Sequence, residues 1–281
     1  MNANLSQIRR TAAAVLAEIR TVRPVVLSLT NSVAQQITAN MLLAVGAAPV
    51  MLKDRSEVEN LMDAGCGGML LNLGTLSAGQ AVHMLDAAKA AHERGVPWVL
   101  DPVAVGALGF RTALCRDLLK SCPSIIRGNA SEILALAGYA PSARGTDATV
   151  SSADAVQPAQ ELAAETRAVV LVTGEVDYVT DGTALHAIRS GHPLMTRVAG
   201  VGCGMGALCA ACLACAPSAV EAAVAASCIL GDAGARAAAR AETVGSFAIA
   251  LLDELDAPPR ETRARKSRAI RRGFRSCGGG I

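Results

Sequence analysis

Residues 195–208 (MTRVAGVGCGMGAL) set one cysteine, Cys203, among Gly200, Gly202, Gly204 and Gly206, with an Ala/Cys/Leu-rich helical run directly behind. Glycine lets a backbone turn with positive φ and approach a ligand closely. The first turn of a helix offers free N–H groups and a partial positive charge. A loop-to-helix corner of this kind suits phosphate. The pattern therefore places Cys203 where a phosphoryl group is transferred, with the amides of residues 200–204, those of Gly200 and Gly202 among them, around the transferring oxygens. Residues 202–207 also spell G-x-G-x-x-A, the dinucleotide fingerprint, with Glu221 at a tolerable distance. That reading needs a strand after the helix, whereas a long helix-like stretch follows. A third reading is a helix start packed tightly on a sheet, with no chemistry.

Other residues of chemical interest lie at the ends of apolar runs. Arg127 is one, and a guanidinium there suits phosphate better than burial. Asn129-Ala-Ser-Glu132 fits a capping box. It equally fits a Glu132 that holds Mg²⁺ directly or through water, since magnesium prefers oxygen ligands. Asp101 either ends a strand before Pro102 or makes a second magnesium or phosphate contact. Cys209, Cys212 and Cys215 form C-x-x-C-x-x-C, but Ala and Leu lie between them on a helix and the fourth cysteine is missing. They read instead as small buried apolar residues. No Cys/His set has zinc spacing. His83, His92, His186 and His192 are isolated, and no Walker A motif or G-x-S-x-G elbow is present.

The elements that position these residues follow from periodicity. Residues 1–23 carry Leu5, Ile8, Ala12, Leu16 and Ile19 at helical spacing, and Pro24 ends the helix. Short apolar runs at 25–29, 69–73, 98–100, 124–126 and 168–172 read as buried strands, separated mostly by Ala-rich helical segments. Such alternation implies an α/β fold with a parallel sheet between helices. Each run ends in a small polar cluster: 30–32, 72–75, 101–102, 127–129 and 173–175. In open α/β sheets ligands bind beyond the carboxyl ends of the strands, so all five clusters belong on one rim. Asp181-Gly182 is a hairpin turn between strands at 178–180 and 185–188, which makes an antiparallel edge. Residues 204–240 read as two helices broken near Pro217, and 246–255 as a last helix. The most loop-like interior stretch is 141–153.

Composition bounds the rest. The chain has 281 residues, is rich in small side chains and has few aromatics, which suits helices packed closely on a parallel sheet. No apolar run reaches the ~18–20 residues a membrane helix needs, and Glu18 and Arg20 interrupt the N-terminal run before a signal-peptide core is complete. Nine scattered cysteines without an export signal suggest reduced thiols in the cytoplasm. The net charge of +2 hides an asymmetry: 256–281 carries eight Lys/Arg against Asp256 and Glu261. The expected organisation is one domain, 1–255, and a basic, disordered tail, 256–281. Nucleic-acid contact is expected at most as weak binding by that tail.

Several long stretches together resemble the hydroxyethylthiazole kinases. They are 29–33 (LTNSV), 38–51 (TANMLLAVGAAPVM), 71–76 (LNLGTL), 97–106 (PWVLDPVAVG), 126–132 (IRGNASE), 172–182 (VTGEVDYVTDG) and 191–195 (GHPLM). The resemblance spans roughly 24–255. It implies a ribokinase-like three-layer α/β/α fold and ATP- and Mg²⁺-dependent phosphorylation of the alcohol of 4-methyl-5-(2-hydroxyethyl)thiazole, in thiamine biosynthesis or salvage. It implies a homotrimer with thiazole sites between subunits. By position it implies thiazole contacts at Met51 and Gly200, with Asn31, Val33 and Cys203 lining the pocket; the Cys203 thiol is there either a weak base or simply a pocket wall. It implies ATP contacts at Arg127 and Thr173, beside Asn129, and magnesium or phosphate roles for Asp101 and Glu132. Three departures stand out: Val201 where the family has Thr or Ala, Gly-Met-Gly after Cys203, and Leu27-Ser28-Leu29 where a His-Cys pair is frequent. Another small-alcohol kinase of the same fold, or an idle thiazole- or nucleotide-binding protein, are the alternatives.

Overall fold

Apolar runs that alternate with Ala-rich segments build one sheet between two helical layers. The structure, a computed structural model, describes residues 2–139 and 150–257. The strands are β1 (Val25–Leu29), β2 (Ala48–Val50), β3 (Gly68–Asn72), β4 (Trp98–Asp101), β5 (Ile125–Asn129), β6 (Val169–Thr173), β7 (Asp177–Thr180) and β8 (Leu185–Ile188). The helices are α1 (Asn2–Val22), α2 (Gln35–Val45), α3 (Arg55–Asp63), α4 (Ala78–Arg94), α5 (Gly109–Leu119), α6 (Ala130–Leu136), α7 (Val156–Thr166), α8 (Val201–Leu213), α9 (Ala219–Ala238) and α10 (Val244–Asp256). Short 3₁₀ turns occupy Ser152–Ala155 and Pro193–Arg197.

The sheet order is β2-β1-β3-β4-β5-β6-β7-β8. Pairing is parallel from β2 to β6 and antiparallel from β6 to β8. All five expected buried strands are present, and so is the antiparallel edge. Two details differ. β2 is an extra edge strand of three residues whose Pro49 is tolerated because an edge needs no full ladder. β5 runs on to Asn129, so Arg127 lies within the strand rather than after it. Of the loop expected at 141–153, residues 141–149 lie outside the described residues, as does the basic tail from 258 onward.

Strand side chains alternate between two cores. Val26, Leu70, Val99, Ile125 and Leu171 face a layer that includes α1, α2, α8, α9 and α10. Leu27, Leu71, Trp98, Leu100, Ile126 and Val170 face the layer built by α3 to α7. Among the described residues no helix is long and apolar enough to cross a membrane.

The glycine-rich segment differs most from its expectation. α8 begins at Val201 and not at the expected 204, so Gly202 and Cys203 lie inside the helix and not in a loop, while Gly204 and Gly206 lie in the helix as read. Gly200 alone turns, with φ +85° at the N-cap, and a Cβ there would come within 2.5 Å of Ile37 Cγ2. The other glycines are needed for close approach. A Cβ at Gly204 would overlap Met41, and one at Gly206 would lie 2.9 Å from Leu70. α8 therefore sits hard against the sheet. Close contact from the other side is made by Gly68 in β3, where a Cβ would overlap the carbonyl oxygen of Ala210.

That overlap involves backbone on both sides and cannot be relieved by a rotamer change. Gly68→Ala should destabilise the chain by about 1–3 kcal/mol, read as a lower urea midpoint at unchanged slope. Gly79→Ala, in α4 with nothing within 4 Å of the added carbon, should leave stability equal or higher. Equal midpoints for Gly68→Ala and the native chain would refute the close packing of α8 on β3.

Candidate active site

The strand order reverses direction between β1 and β3, because the chain steps from β1 out to β2 and then back to the other side. Helices diverge at such a switch point and leave a crevice beyond the strand ends. Asn31 follows β1, Asn72 ends β3, Asp101 ends β4, Arg127 lies in β5 and Thr173 ends β6. The N-terminus of α8 brings Cys203 over them.

These side chains form one continuous hydrogen-bonded chain. Asn31 Nδ2 donates to the Cys203 Sγ at 3.2 Å and to Asn72 Oδ1 at 2.8 Å. Asn72 Nδ2 donates to Asp101 Oδ2 at 2.5 Å. The Arg127 guanidinium reaches Asp101 Oδ1 at 3.4 Å and Thr173 Oγ1 at 2.8 Å. Thr173 in turn donates to the Gly128 carbonyl. Gly202 leaves room for the guanidinium, since a Cβ there would lie 3.2 Å from an Arg127 nitrogen. Arg127 Nε is buried and unpartnered.

Burial sets the electrostatics. Asp101 is 0% exposed. Its carboxyl is raised from 3.8 to about 7, chiefly by desolvation and further by the Glu132 carboxylate, against the opposing pull of Arg127 and the Asn72 donor. Burial works against the charge on Arg127, but Asp101 and Glu132 outweigh it and hold the guanidinium protonated. The Cys203 thiol is raised by burial and by Asp101, with the Asn31 donor acting the other way. A helix N-terminus alone would lower a thiol; here desolvation wins, and Cys203 is a neutral thiol. Cys209 and Cys212 are buried within α8, where desolvation pushes the Cys209 thiol up to about 12 and the Cys212 thiol well above its ordinary value.

Asn129 and Glu132 form the capping box of α6: Asn129 Oδ1 accepts from Glu132 N at 2.9 Å, and Glu132 Oε2 from Asn129 N at 2.8 Å. Glu132 Oε1 also accepts from Ala104 N at 3.0 Å, which ties down the loop after β4. Each carboxylate oxygen keeps a lone pair beyond these bonds. Among the described residues no group of three or more His, Cys, Asp or Glu is arranged to hold a metal.

Asn31, Asp101, Arg127, Thr173 and Cys203 are thus brought together, with Gly200 and Gly202 beside them. Met51 instead lines a small cavity next to the β1 end with Thr30, Gln35 and His83. Val33 is 66% exposed, on the surface near Asn31. Two residues went unassigned by sequence. Asn72 is buried at the centre of the chain; its signal was a polar residue closing an apolar run. Asp177 is largely buried, accepts from Ser227 Oγ at 2.6 Å and from Gly174 N at 3.0 Å, and so fixes the turn after Thr173. Nothing in the hairpin pattern distinguished it.

Comparison with known proteins identifies the family and the fold. Residues 16–261 match the profile of the "Hydroxyethylthiazole kinase family". A hydroxyethylthiazole kinase of Akkermansia muciniphila is 51% identical over 255 residues, covering 91% of this chain and 94% of that one. The solved structure of a Pyrococcus horikoshii hydroxyethylthiazole kinase is 35% identical with a TM-score of 0.80, covering 88% of this chain and 93% of that one. A ribokinase-like superfamily protein of Enterococcus faecalis, 15% identical, shares the fold with a TM-score of 0.58 over 84% of this chain and 88% of its own. The chain belongs to the hydroxyethylthiazole kinase family.

The raised Asp101 carboxyl predicts a pH signature in the ligand-free protein. Between the unfolded value near 4 and the folded value of about 7, the native state holds a proton the unfolded chain has lost. Stability from this group is therefore complete below about pH 4 and lost as pH rises through about 7. Relative to Asp101→Asn, the native chain should lose on the order of a few kcal/mol across that window and then level off. A pH-independent difference between the two unfolding curves would show that Asp101 is not desolvated.

Proposed function

We propose that this member of the hydroxyethylthiazole kinase family transfers the γ-phosphoryl group of ATP to the primary alcohol of 4-methyl-5-(2-hydroxyethyl)thiazole, a step of thiamine biosynthesis or salvage. The observation that carries the site assignment is the unbroken chain from Cys203 to Thr173 across the switch point. The alcohol oxygen bonds to the γ-phosphorus, the bond to the bridging oxygen of ADP breaks, and the alcohol proton is released. Such transfer has a loose transition state, so positioning and charge neutralisation supply most of the acceleration.

The roles divide along the rim. Asn31, Gly200 and Cys203 hold the alcohol, and Met51 and Val33 complete the thiazole pocket. Arg127, with an unpartnered Nε and a guanidinium fixed by Asp101 and Thr173, meets the nucleotide phosphates; Thr173 and Asn129 border them. The amides at the start of α8, around Gly200 and Gly202, face the transferring oxygens. Mg²⁺ fits two oxygen-donor carboxylates, Asp101 and Glu132, since it keeps most of its waters and takes one or two carboxylates plus phosphates. Glu132 already accepts two backbone N–H groups, which favours contact through water. When bound, the ion would neutralise phosphate charge. Turnover that survives chelation would remove it.

Exposed Val33 and half-buried Met51 support a homotrimer whose neighbouring subunit closes the thiazole pocket; a light-scattering mass of one chain would overturn this. Residues 1–255 act as one domain in this reading. The free thiols from Cys66 to Cys228 suit a reducing compartment, the cytoplasm.

Purified protein with Mg-ATP should release ADP only when the thiazole alcohol is present, with the phosphorylated thiazole found by mass. Saturable binding without turnover would favour an idle binding protein, and turnover with a different alcohol would replace the substrate. Because burial keeps Cys203 neutral, its thiol is a pocket wall. Cys203→Ala should slow turnover by up to about a hundredfold, through misplacement of the alcohol, without abolishing it. Complete loss with both ligands still bound would assign the thiol a specific chemical role.

A further inference from the structure

The reaction needs two ligands to meet in register, and one unassigned side chain stands between their sites. Asn72 is 0% exposed at the last residue of β3, the strand beside the switch point. Its carboxamide is engaged at both ends. Oδ1 accepts from Asn31 Nδ2 at 2.8 Å and from the Gly74 N–H at 3.0 Å, and Nδ2 donates to Asp101 Oδ2 at 2.5 Å. The amide also faces the Cys203 thiol.

The polarity of this arrangement is locked. A backbone N–H only donates, so Gly74 forces the oxygen of Asn72 to its side and the NH₂ toward Asp101. Asn31 is fixed in the same way, because the Ala34 N–H donates to its Oδ1 at 2.9 Å. Its NH₂ must then face Asn72 and Cys203. Gly74 further confines Asn31, since a Cβ at Gly74 would lie 2.7 Å from Asn31 Nδ2. Two amides with no freedom to flip therefore join the Cys203 end of the rim to the Asp101–Arg127 pair. Buried polar networks that are fully satisfied act as rigid units.

We propose that Asn72 is a positioning residue that holds the alcohol side of the site, Asn31 and Cys203, at a fixed spacing from the phosphate side, Asp101 and Arg127. This rests on the division of the rim given under Proposed function. Asn72 touches neither reacting atom. Its effect is on the relative placement of groups that do, and misplacement by an ångström costs about a hundredfold in rate.

The test uses the full chain, magnesium, the thiazole alcohol and ATP, with the non-hydrolysable β,γ-methylene analogue of ATP for binding. Asn72→Ser and Asn72→Leu both break the link between Asn31 and Asp101 without adding a charge; should the leucine variant fail to fold, the smaller Asn72→Ser still decides the matter. In both variants each ligand alone should bind within about threefold of native in calorimetry, while kcat should fall by about a hundredfold. Unchanged kcat in Asn72→Ser overturns the proposal. Parallel loss of both separate affinities also overturns it, because that is the mark of a merely structural residue. Asp101→Asn and Arg127→Gln, measured alongside, separate this from the underlying assignment. If they too retain full turnover, the rim is not the site; if they lose it while Asn72→Ser does not, the positioning role alone fails.

Discussion

A carboxylate with no access to water fixes the arrangement of this site. Asp101 at the end of β4 has Asn72 on one oxygen and Arg127 on the other. Removing one partner of a buried charge pair leaves the other uncompensated, at about 3–5 kcal/mol. Arg127 is in the same position, since its own burial is tolerable only beside Asp101 and Glu132. The guanidinium then dictates its surroundings. It reaches across to Thr173 on β6, and it needs Gly202 bare above it. Four strand ends and the first turn of α8 are thereby held by one desolvated pair.

How legible this was depends on the range of the forces involved. Each strand end could be read because an apolar run stops at a polar cluster, and parallel pairing puts such stops on one rim. β2 could not be read: three residues containing Pro49 carry too little pattern. The start of α8 was placed late, at 204, because Gly200 and Gly202 resemble a turn, yet the tight packing that one reading of this segment anticipated, here on Met41 and Leu70, outweighs the poor helix propensity of glycine. The capping box at Asn129 and Glu132 was legible as a motif. Its second bond, from Ala104 to Glu132, was not, because it joins separate loops. Asn72 shows the limit plainly. Its partners Asn31 and Asp101 lie 41 and 29 residues away, and only the strand order brings the three together.

The thiol at 203 can be understood from the charges already present. Asp101, Glu132 and Asp177 place three carboxyl groups near one buried cation, and the carboxyls of Asp101 and Asp177 are raised by burial. A further carboxylate over this rim would push Asp101 higher still and oppose the approach of a polyanionic nucleotide. A thiol adds no charge, because desolvation keeps it protonated, and its sulfur still accepts weakly from Asn31. The alcohol is then oriented by shape and by the Asn31 amide, while the Asp101–Arg127 pair governs the phosphate. On this view the site does not need a strong base over the alcohol. It needs the two halves of the rim to keep their spacing, and a neutral residue at 203 is the choice that disturbs that spacing least.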